Sequence, residues 1–308
     1  MAGPATNTEG THVTSKRTGQ LLAAAAIGVA IMLMALACGG NDNESSSGDT
    51  SADTTAAPAD TQSTDVGSLN LIDPTKLTVG MTLQFKPQMY LDDNGDPAGY
   101  DVILVKALAE KMGVELDIKN LDFNGLIPGL VSKKFDMVSV GLSATDERKK
   151  SVDFSREYVP YAQILAAKAD DSTEATIDAW NTSDKTITSL QGSTAEQLVK
   201  STFPTATSSS FPDQNAAFLQ VSTGRADGIV VENYLLAQFN KSNDDALKEV
   251  GFDQPLHVEY GSYAVQKGNT ALADYLSAFI CEEQTSGNLA DAYQSTIGAP
   301  LPEMPACS

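Results

Sequence analysis

The sequence predicts an α/β fold built from two lobes, and three observations indicate it. The chain has 308 residues, more than a single hydrophobic core usually accommodates. Strand-like and helix-like segments alternate along it, which is typical of parallel sheets with right-handed crossovers. The alternation occurs in two separate runs, over residues 77–140 and 187–231. Two such runs favour two lobes over one large sheet.

Elements of the first run follow from apolar periodicity. Residues 77–83 alternate apolar with small or polar side chains, as a half-buried strand does. Apolar side chains at helical spacing predict a helix over 100–111, which Gly113 ends. Asn94 and Gly95 indicate a tight turn. The other predicted elements are strands at 115–119 and 137–140 and a helix that begins at 126–131.

The second run also alternates predicted strands and helices. It predicts a strand at 187–190, helices at 195–200 and 216–223, and a strand at 228–231. Ser193 and Glu196 have the spacing of a capping box, which supports a helix start at Thr194.

Composition excludes several classes of function. With 20 Lys plus Arg against 40 Asp plus Glu, the formal charge is −20, which repels phosphate backbones, so we expect no nucleic-acid partner. Two histidines leave almost nothing for histidine catalysis or a zinc site. A segment from Asp92 resembles the start of a calcium loop, but Pro97 and Ile103 occupy the positions that require Gly and Glu. We therefore expect no metal and no cofactor.

The N-terminal region predicts an export signal. A basic pair precedes residues 21–37, which carry no polar side chain, as in a secretory signal. The segment MALAC ending at Cys38 resembles a bacterial lipobox, with a departure at Ala35. We expect residues 1–37 to be removed and Cys38 to be acylated, which would anchor an extracytoplasmic protein to the cell membrane. The alternative is a retained transmembrane helix, since 17 residues are near the lower limit for spanning a bilayer.

A flexible acidic linker is predicted over residues 38–70. Residues 39–65 contain no Val, Ile, Leu, Met or aromatic residue and carry six acids and no base. Such a segment cannot bury enough apolar surface to offset the cost of ordering. Its expected role is a tether between lipid anchor and folded body.

Several spaced segments then resemble one family. The most specific reads DFNGLIPGL at residues 122–130, followed by Asp136, GLSATDERKK at 141–150 and VDFS at 152–155. Supporting segments lie at 99–101, 191–196, 224–227, 261–268 and 286–293. Together they resemble the family 3 solute-binding proteins, the polar amino-acid receptors of ABC importers, over residues 77–298.

The resemblance implies a type II periplasmic-binding-protein-like fold. Each lobe is then a mostly parallel sheet flanked by helices, and two hinge strands join the lobes. Lobe 1 is expected at 76–165 and 262–308, and lobe 2 at 170–257. The chain would cross between them near 164–168 and 258–263.

The same resemblance implies the ligand site. Arg148 stands where the family clamps the ligand carboxylate, a role that suits a planar guanidinium with paired donors. Read alone, it would be a surface arginine in a basic run. Ser193 and Thr194 lie at the predicted helix start, where free N–H groups favour an anion.

Other site positions also come from the resemblance. Glu232 follows an apolar strand and matches the family's acidic residue that pairs with the ligand ammonium, although the family more often has Asp there. The Ser143 hydroxyl and the Gly141 carbonyl would supply further acceptors. Phe85 and Phe123 match positions that sandwich the ligand body.

Thr82 stands where receptors for basic amino acids and glutamine carry Asp. Its lack of charge predicts a neutral polar ligand.

The cysteines fit an oxidising compartment. If Cys38 is acylated, Cys281 and Cys307 remain as the possible disulfide pair. The alternative is two free thiols.

We therefore expect a monomeric binding protein, not an enzyme, that delivers a free amino acid to an ABC permease. One alternative is a ligand-sensing module that signals to a membrane partner. Another is an enzyme resembling cyclohexadienyl dehydratase. The enzyme would need a positioned acid beyond Glu232, and the sequence identifies none.

Overall fold

The computed structural model describes residues 66–307. The predicted signal segment, Cys38 and most of the acidic tether lie outside this range. Within the last part of the predicted linker, Val66–Leu69 forms a 3-10 helix whose Leu69 is buried. No helix among the described residues is both long enough and apolar enough to cross a bilayer.

Strands account for the larger sheet and for a small hairpin sheet. They are β1 Lys76–Met81, β2 Gln84–Phe85, β3 Met89–Leu91, β4 Pro97–Ala98, β5 Glu115–Asn120, β6 Met137–Ser143, β7 Val152–Lys168, β8 Thr186–Leu190, β9 Thr207–Phe211, β10 Gly228–Glu232, β11 Leu247–Glu249 and β12 His257–Gln266. The hairpin sheet joins β2, β3 and β4. Asn94 and Gly95 lie in the turn before β4, where Gly95 N–H donates to the Asp92 carbonyl at 3.0 Å, as the sequence predicts.

Helices lie between these strands. They are α1 Tyr100–Met112, α2 Leu126–Val131, α3 Asp146–Lys149, α4 Ile177–Trp180, α5 Thr194–Thr202, α6 Gln214–Ser222, α7 Asn233–Lys241, α8 Thr270–Ser286 and α9 Asn288–Ile297. Gly113 ends α1 in the left-handed conformation, with φ of 68°. The predicted helices and strands therefore exist, and their ends lie within three residues of the predicted ones.

The main sheet of the described region runs through both lobes. Its order is β5-β1-β6-β12-β7-β10-β8-β9, with β11 paired to β7. Neighbours β5, β1 and β6 are parallel, and so are β10, β8 and β9. The two central strands, β12 and β7, pair antiparallel with each other and with their outer neighbours.

This arrangement confirms the two-lobe α/β fold. The two α/β runs form the two halves of one continuous sheet, and the long strands β7 and β12, which pair in both halves, join them. The name lobe 1 is used for the β5-β1-β6 half, which α1 and α2 cover, and the name lobe 2 for the β10-β8-β9 half, which α5, α6 and α7 cover. Helix α8 packs on the central strands β7 and β12, and α9 packs on α1 and α8. The predicted residue boundaries of the lobes remain a prediction.

Two apolar clusters form the core. The larger spans lobe 1, the central strands and part of lobe 2. The smaller lies in lobe 2 around Trp180, Phe203 and Val230, all almost fully buried. These clusters fix the strands whose carboxyl ends carry the polar side chains described next.

A disulfide ties the C-terminal segment to the body. Cys281 in α8 is bonded to Cys307, with their Cα atoms 5.6 Å apart. This is the pairing expected from the sequence, and it joins residues 26 positions apart.

Candidate functional site

A small cavity lies between the lobes at the carboxyl ends of β6, β8 and β10. Of the nine predicted ligand residues, eight line it: Phe85, Phe123, Gly141, Ser143, Arg148, Ser193, Thr194 and Glu232. Five further residues complete the lining: Val140, Tyr161, Leu190, Tyr234 and Glu259. The cavity volume is about 30 Å³, enough for about one or two water molecules. A free amino acid can therefore enter only if the lobes separate or the lining moves.

Arg148 brings the one guanidinium to this cavity. It lies on the short helix α3, where the Thr145 side chain accepts a hydrogen bond from the Arg148 N–H at 3.3 Å. Its Nη1 donates to the Ser143 carbonyl at 3.0 Å, and its Nη2 donates to the Gly192 carbonyl at 3.1 Å. The first carbonyl belongs to lobe 1 and the second to lobe 2. Arg148 is thus fixed by both lobes.

The charge of Arg148 is largely desolvated but not ion-paired at short range. The residue is 7% exposed, and no carboxylate among residues 66–307 lies within 4.0 Å of its nitrogens. Burial lowers the pKa of its guanidinium, whereas the nearby carboxylates of Glu259 and Glu232 act in the opposite direction. Since only two of its five N–H groups are used, the others can receive an anion.

The start of α5 forms the wall in lobe 2. The Ser193 hydroxyl caps this helix by accepting from the Glu196 N–H at 3.2 Å, as the capping-box spacing predicts. The Glu196 carboxylate receives the Gly192 N–H at 2.7 Å instead of the Ser193 N–H, so the box is displaced by one residue. Thr194 is the first residue of the helix, and its hydroxyl donates to Glu259 at 2.7 Å.

Two carboxylates face the cavity. Glu232 lies at the end of β10 and Glu259 within β12, and the Gln163 side-chain amide donates to both, at 2.9 and 2.7 Å. Burial, and next the charge of Glu259, raise the pKa of Glu232 to about 7. At neutral pH Glu232 is therefore poised between its two protonation states, and a nearby cation would favour ionisation.

Aromatic rings line the rest of the cavity. The ring centroids of Phe85 and Phe123 lie 6.2 Å apart, and those of Tyr161 and Tyr234 lie 6.0 Å apart. The Phe123 ring is 5.8 Å from the Arg148 guanidinium carbon. These rings exclude water around the charged groups, which strengthens each electrostatic contact.

Gly141 brings the backbone close to one of these rings. Its φ is +61°, and a Cβ placed there would lie 1.6 Å from the Tyr161 hydroxyl oxygen. No side chain larger than hydrogen fits without displacing the ring.

Thr82 is the predicted ligand residue that does not line the cavity. It is 1% exposed, and its hydroxyl oxygen accepts from the Gln84 side-chain amide at 2.8 Å. The side-chain oxygen Oε1 of Gln84 in turn accepts from the Gln214 N–H of lobe 2 at 3.0 Å. Thr82 therefore lies behind an interlobe bridge, in a neighbouring surface crevice with Asn120 and Asp213.

A second bridge links the lobes on the tyrosine side. The Tyr234 hydroxyl donates to Gln88 Oε1 at 2.6 Å. Gln88 Nε2 donates to the buried Asp101 carboxylate at 3.0 Å, which Ser139 also contacts, at 2.8 Å. Burial raises the pKa of Asp101 to about 6. Lobe 2 is thus hydrogen-bonded through Gln88 to the core of lobe 1.

Glu259 is a site residue that carries no signal in the sequence. Its neighbours Val258 and Tyr260 are exposed, while Glu259 between them is 7% exposed. This inverts the usual pattern of apolar side chains inside and charges outside, so periodicity alone points the wrong way. No group of three or more potential metal-ligating side chains is found in the described part of the chain.

Two lobes joined by paired central strands over a cavity with one guanidinium and two carboxylates define a ligand-enclosing binding protein. Residues 77–299 match the family of bacterial extracellular solute-binding proteins, family 3. The chain belongs to this family.

Individual relatives agree with this assignment. The arginine-binding extracellular protein ArtP of Bacillus subtilis is 31% identical over 216 residues, 70% of this chain and 83% of that protein. The L-cystine-binding protein TcyJ of Escherichia coli is 27% identical over 237 residues, 76% and 88% of the two chains. The crystal structure of the ancestral amino acid-binding protein AncCDT-1, a precursor of cyclohexadienyl dehydratase, matches with a TM-score of 0.67 and 31% identity, covering 72% of this chain and 96% of that one.

Proposed function

We propose that this protein is the extracytoplasmic substrate-binding lipoprotein of an amino-acid ABC importer. It encloses a free amino acid between its lobes and delivers it to a membrane permease. The observation that carries the proposal is Arg148, buried in the interlobe cavity with unused donors and held by carbonyls of both lobes. We further propose that the protein acts as a monomer and has no nucleic-acid partner.

The chemistry of the site supports a zwitterionic ligand. A free amino acid carries a carboxylate and an ammonium on one carbon, and both need partners once water is excluded. Arg148 would receive the carboxylate, with the start of α5 beside it. Glu232 would receive the ammonium, and this cation would shift Glu232 toward its ionised form.

The class of amino acid that binds is indicated by the relatives and by Thr82, and these two indications differ. The relatives are named for binding arginine and cystine, whereas the uncharged Thr82 predicts a neutral polar ligand. Thr82 lies outside the cavity lining, so its lack of charge bears on the ligand less directly than the two carboxylates do. The neutral ligand remains a prediction of the sequence.

The membrane attachment belongs to the same proposal. Acylation of Cys38 would hold the receptor near its permease, with the acidic segment as a tether. Mass spectrometry of the mature protein should find an acylated N-terminal Cys38. An intact Met1 would instead point to a retained transmembrane helix.

A thermal-shift screen of the twenty amino acids tests the binding function. A ligand that binds only the folded protein raises the melting temperature by mass action, by an amount that grows with concentration. We expect at least one amino acid to do so. No shift with any of the twenty would contradict the proposal.

One observation favours a second candidate, an enzyme of the cyclohexadienyl-dehydratase type. Glu259 supplies the buried acid beyond Glu232 that such chemistry would need. Turnover of a prephenate-like acid, with no amino-acid ligand in the screen, would support it. An uptake assay distinguishes a sensing role from the proposed transport role. If the protein only senses its ligand, deletion of the gene would leave amino-acid uptake unchanged.

A further inference from the structure

Glu259 is held at the centre of the interlobe contact by three donors. Its carboxylate accepts from the Ser143 hydroxyl at 2.6 Å, from the Thr194 hydroxyl at 2.7 Å and from Gln163 Nε2 at 2.7 Å. Ser143 belongs to lobe 1, Thr194 to lobe 2 and Gln163 to the central strand β7. The position of Glu259 is therefore set by every part of the site.

These contacts decide what the cavity wall offers a ligand. A carboxylate can only accept hydrogen bonds, so the hydroxyls of Ser143 and Thr194 must each donate their single proton to Glu259. Their oxygens then present lone pairs, and no proton, to anything else that reaches them. Ser143, Thr194 and Glu259 all line the cavity. This part of the wall is consequently built from acceptors alone.

Gln163 adds to the excess of acceptors. Its amide nitrogen is used by Glu232 and Glu259, which fixes the orientation of the side-chain amide, since a carbonyl oxygen between two carboxylates would be repelled. The residue is fully buried. Its Oε1 is left without a hydrogen-bond partner, which is costly for a buried polar atom.

The acidic and basic side chains at the cavity are unbalanced in the same sense. One guanidinium, Arg148, faces two acidic side chains, Glu232 and Glu259. A zwitterion whose carboxylate pairs with Arg148 and whose ammonium pairs with Glu232 leaves Glu259 without a cation. An amino acid that carries a second cationic group would supply it, together with N–H donors for the two hydroxyl oxygens.

There is room beyond the small cavity for such a side chain. Ser143, Thr194 and Glu259 also line an adjoining crevice that is more open to solvent, where Gln163 joins them. Glu259 thus lies in the wall between the inner cavity and this crevice. A side chain that extended from the cavity into the crevice would meet the three residues that line both, Ser143, Thr194 and Glu259.

We propose that Glu259 is a specificity-determining residue that selects an amino acid with a second cationic group over a neutral one. It does so directly, through its charge, and indirectly, by holding the hydroxyls of Ser143 and Thr194 as acceptors. The inference rests on the proposed function of the same site and names its ligand class. It differs from the neutral polar ligand that the uncharged Thr82 predicts, and the titration below distinguishes the two.

The test is calorimetric titration of the purified protein with L-arginine, L-lysine and L-glutamine. We expect the unmodified protein to bind arginine or lysine at least about tenfold more tightly than glutamine. Glu259→Gln keeps the size of the side chain, removes its charge and lets the hydroxyls turn toward the ligand. It should weaken the cationic ligand about tenfold or more and change glutamine affinity by less than about threefold. Glu249→Gln, an exposed acid on β11, controls for net charge and should leave both affinities unchanged.

The possible results distinguish an error in the inferred ligand class from an error in the proposed function. Tighter binding of glutamine than of arginine and lysine by the unmodified protein would overturn the inference and leave the proposed function standing, and this comparison needs no variant. Equal losses for charged and neutral ligands in Glu259→Gln would also overturn it, because Glu259 would then act on structure alone. Binding of none of the twenty amino acids would contradict the proposed function itself.

Discussion

Replacement of Arg148 by alanine is the perturbation with the largest expected effect on binding. The guanidinium is 7% exposed and already donates to two backbone carbonyls, Ser143 O at 3.0 Å and Gly192 O at 3.1 Å. Arg148→Ala therefore removes the partner of a buried ligand carboxylate and also one contact between the lobes. Both losses act against the closed, ligand-bound state.

The magnitude follows from the burial. Removing one partner of a buried ion pair costs about 3–5 kcal/mol, which corresponds to about 10²–10⁴-fold in the dissociation constant. The protein also loses a charged donor to the Ser143 carbonyl, at a cost of about 1–3 kcal/mol in the free energy of unfolding. Arg148→Lys should fall between the unmodified protein and Arg148→Ala, because an ammonium keeps the charge but lacks the planar fork.

Isothermal titration calorimetry with the ligand found in the thermal-shift screen measures the effect. Arg225→Ala, which removes an exposed arginine of lobe 2, is the matched control and should bind normally. Near-normal affinity in Arg148→Ala would refute the assignment of Arg148 as the carboxylate clamp.

Three further predictions follow from the site. Because burial raises the pKa of Glu232 from 4.5 to about 7, the folded protein holds a proton there that the unfolded chain has lost, and the free energy of unfolding should fall as pH rises between these values. Urea titrations should find that the free energy of unfolding falls less with rising pH in Glu232→Gln. An unchanged pH profile would contradict a raised Glu232 pKa in the folded protein. Tyr234→Phe breaks the interlobe hydrogen bond to Gln88 and should weaken ligand affinity about threefold to tenfold in calorimetry; unaltered affinity would mean that the bridge does not stabilise closure. Gly141→Ala places a Cβ against the Tyr161 hydroxyl and should lower the free energy of unfolding by about 2–4 kcal/mol, whereas a loss under about 0.5 kcal/mol in urea unfolding would show that the ring moves aside freely.

Much of the fold is predictable because its signals are local. Helix α1 carries its apolar spacing and its terminating Gly113 within 14 residues. The start of α5 is predicted by Ser193 and Glu196, which cap it. What local signals do not contain is the pairing partner of each strand. The joining of both halves into one sheet depends on the length of β7 and β12, which is seen only when distant strands pair.

The candidate site divides in a similar way. Arg148 and its neighbours lie in long, specific segments, and the structure brings most of them to one cavity. Glu259 and Gln163 carry no such signal, because a single Glu or Gln in a strand is typical of an exposed surface. Their burial is imposed by tertiary contacts with Ser143 and Thr194. Thr82 shows the converse, since a position inferred from alignment is covered here by the Gln84 side chain.

The proposed function requires a free amino acid to lie between the lobes with its carboxylate on the Arg148 guanidinium. A crystal structure of the protein bound to the amino acid found in the screen is the decisive experiment. We expect a carboxylate oxygen within about 3 Å of an Arg148 nitrogen, with the ligand nitrogen on the side of Glu232. A ligand seated elsewhere, or one whose carboxylate points away from Arg148, would contradict it.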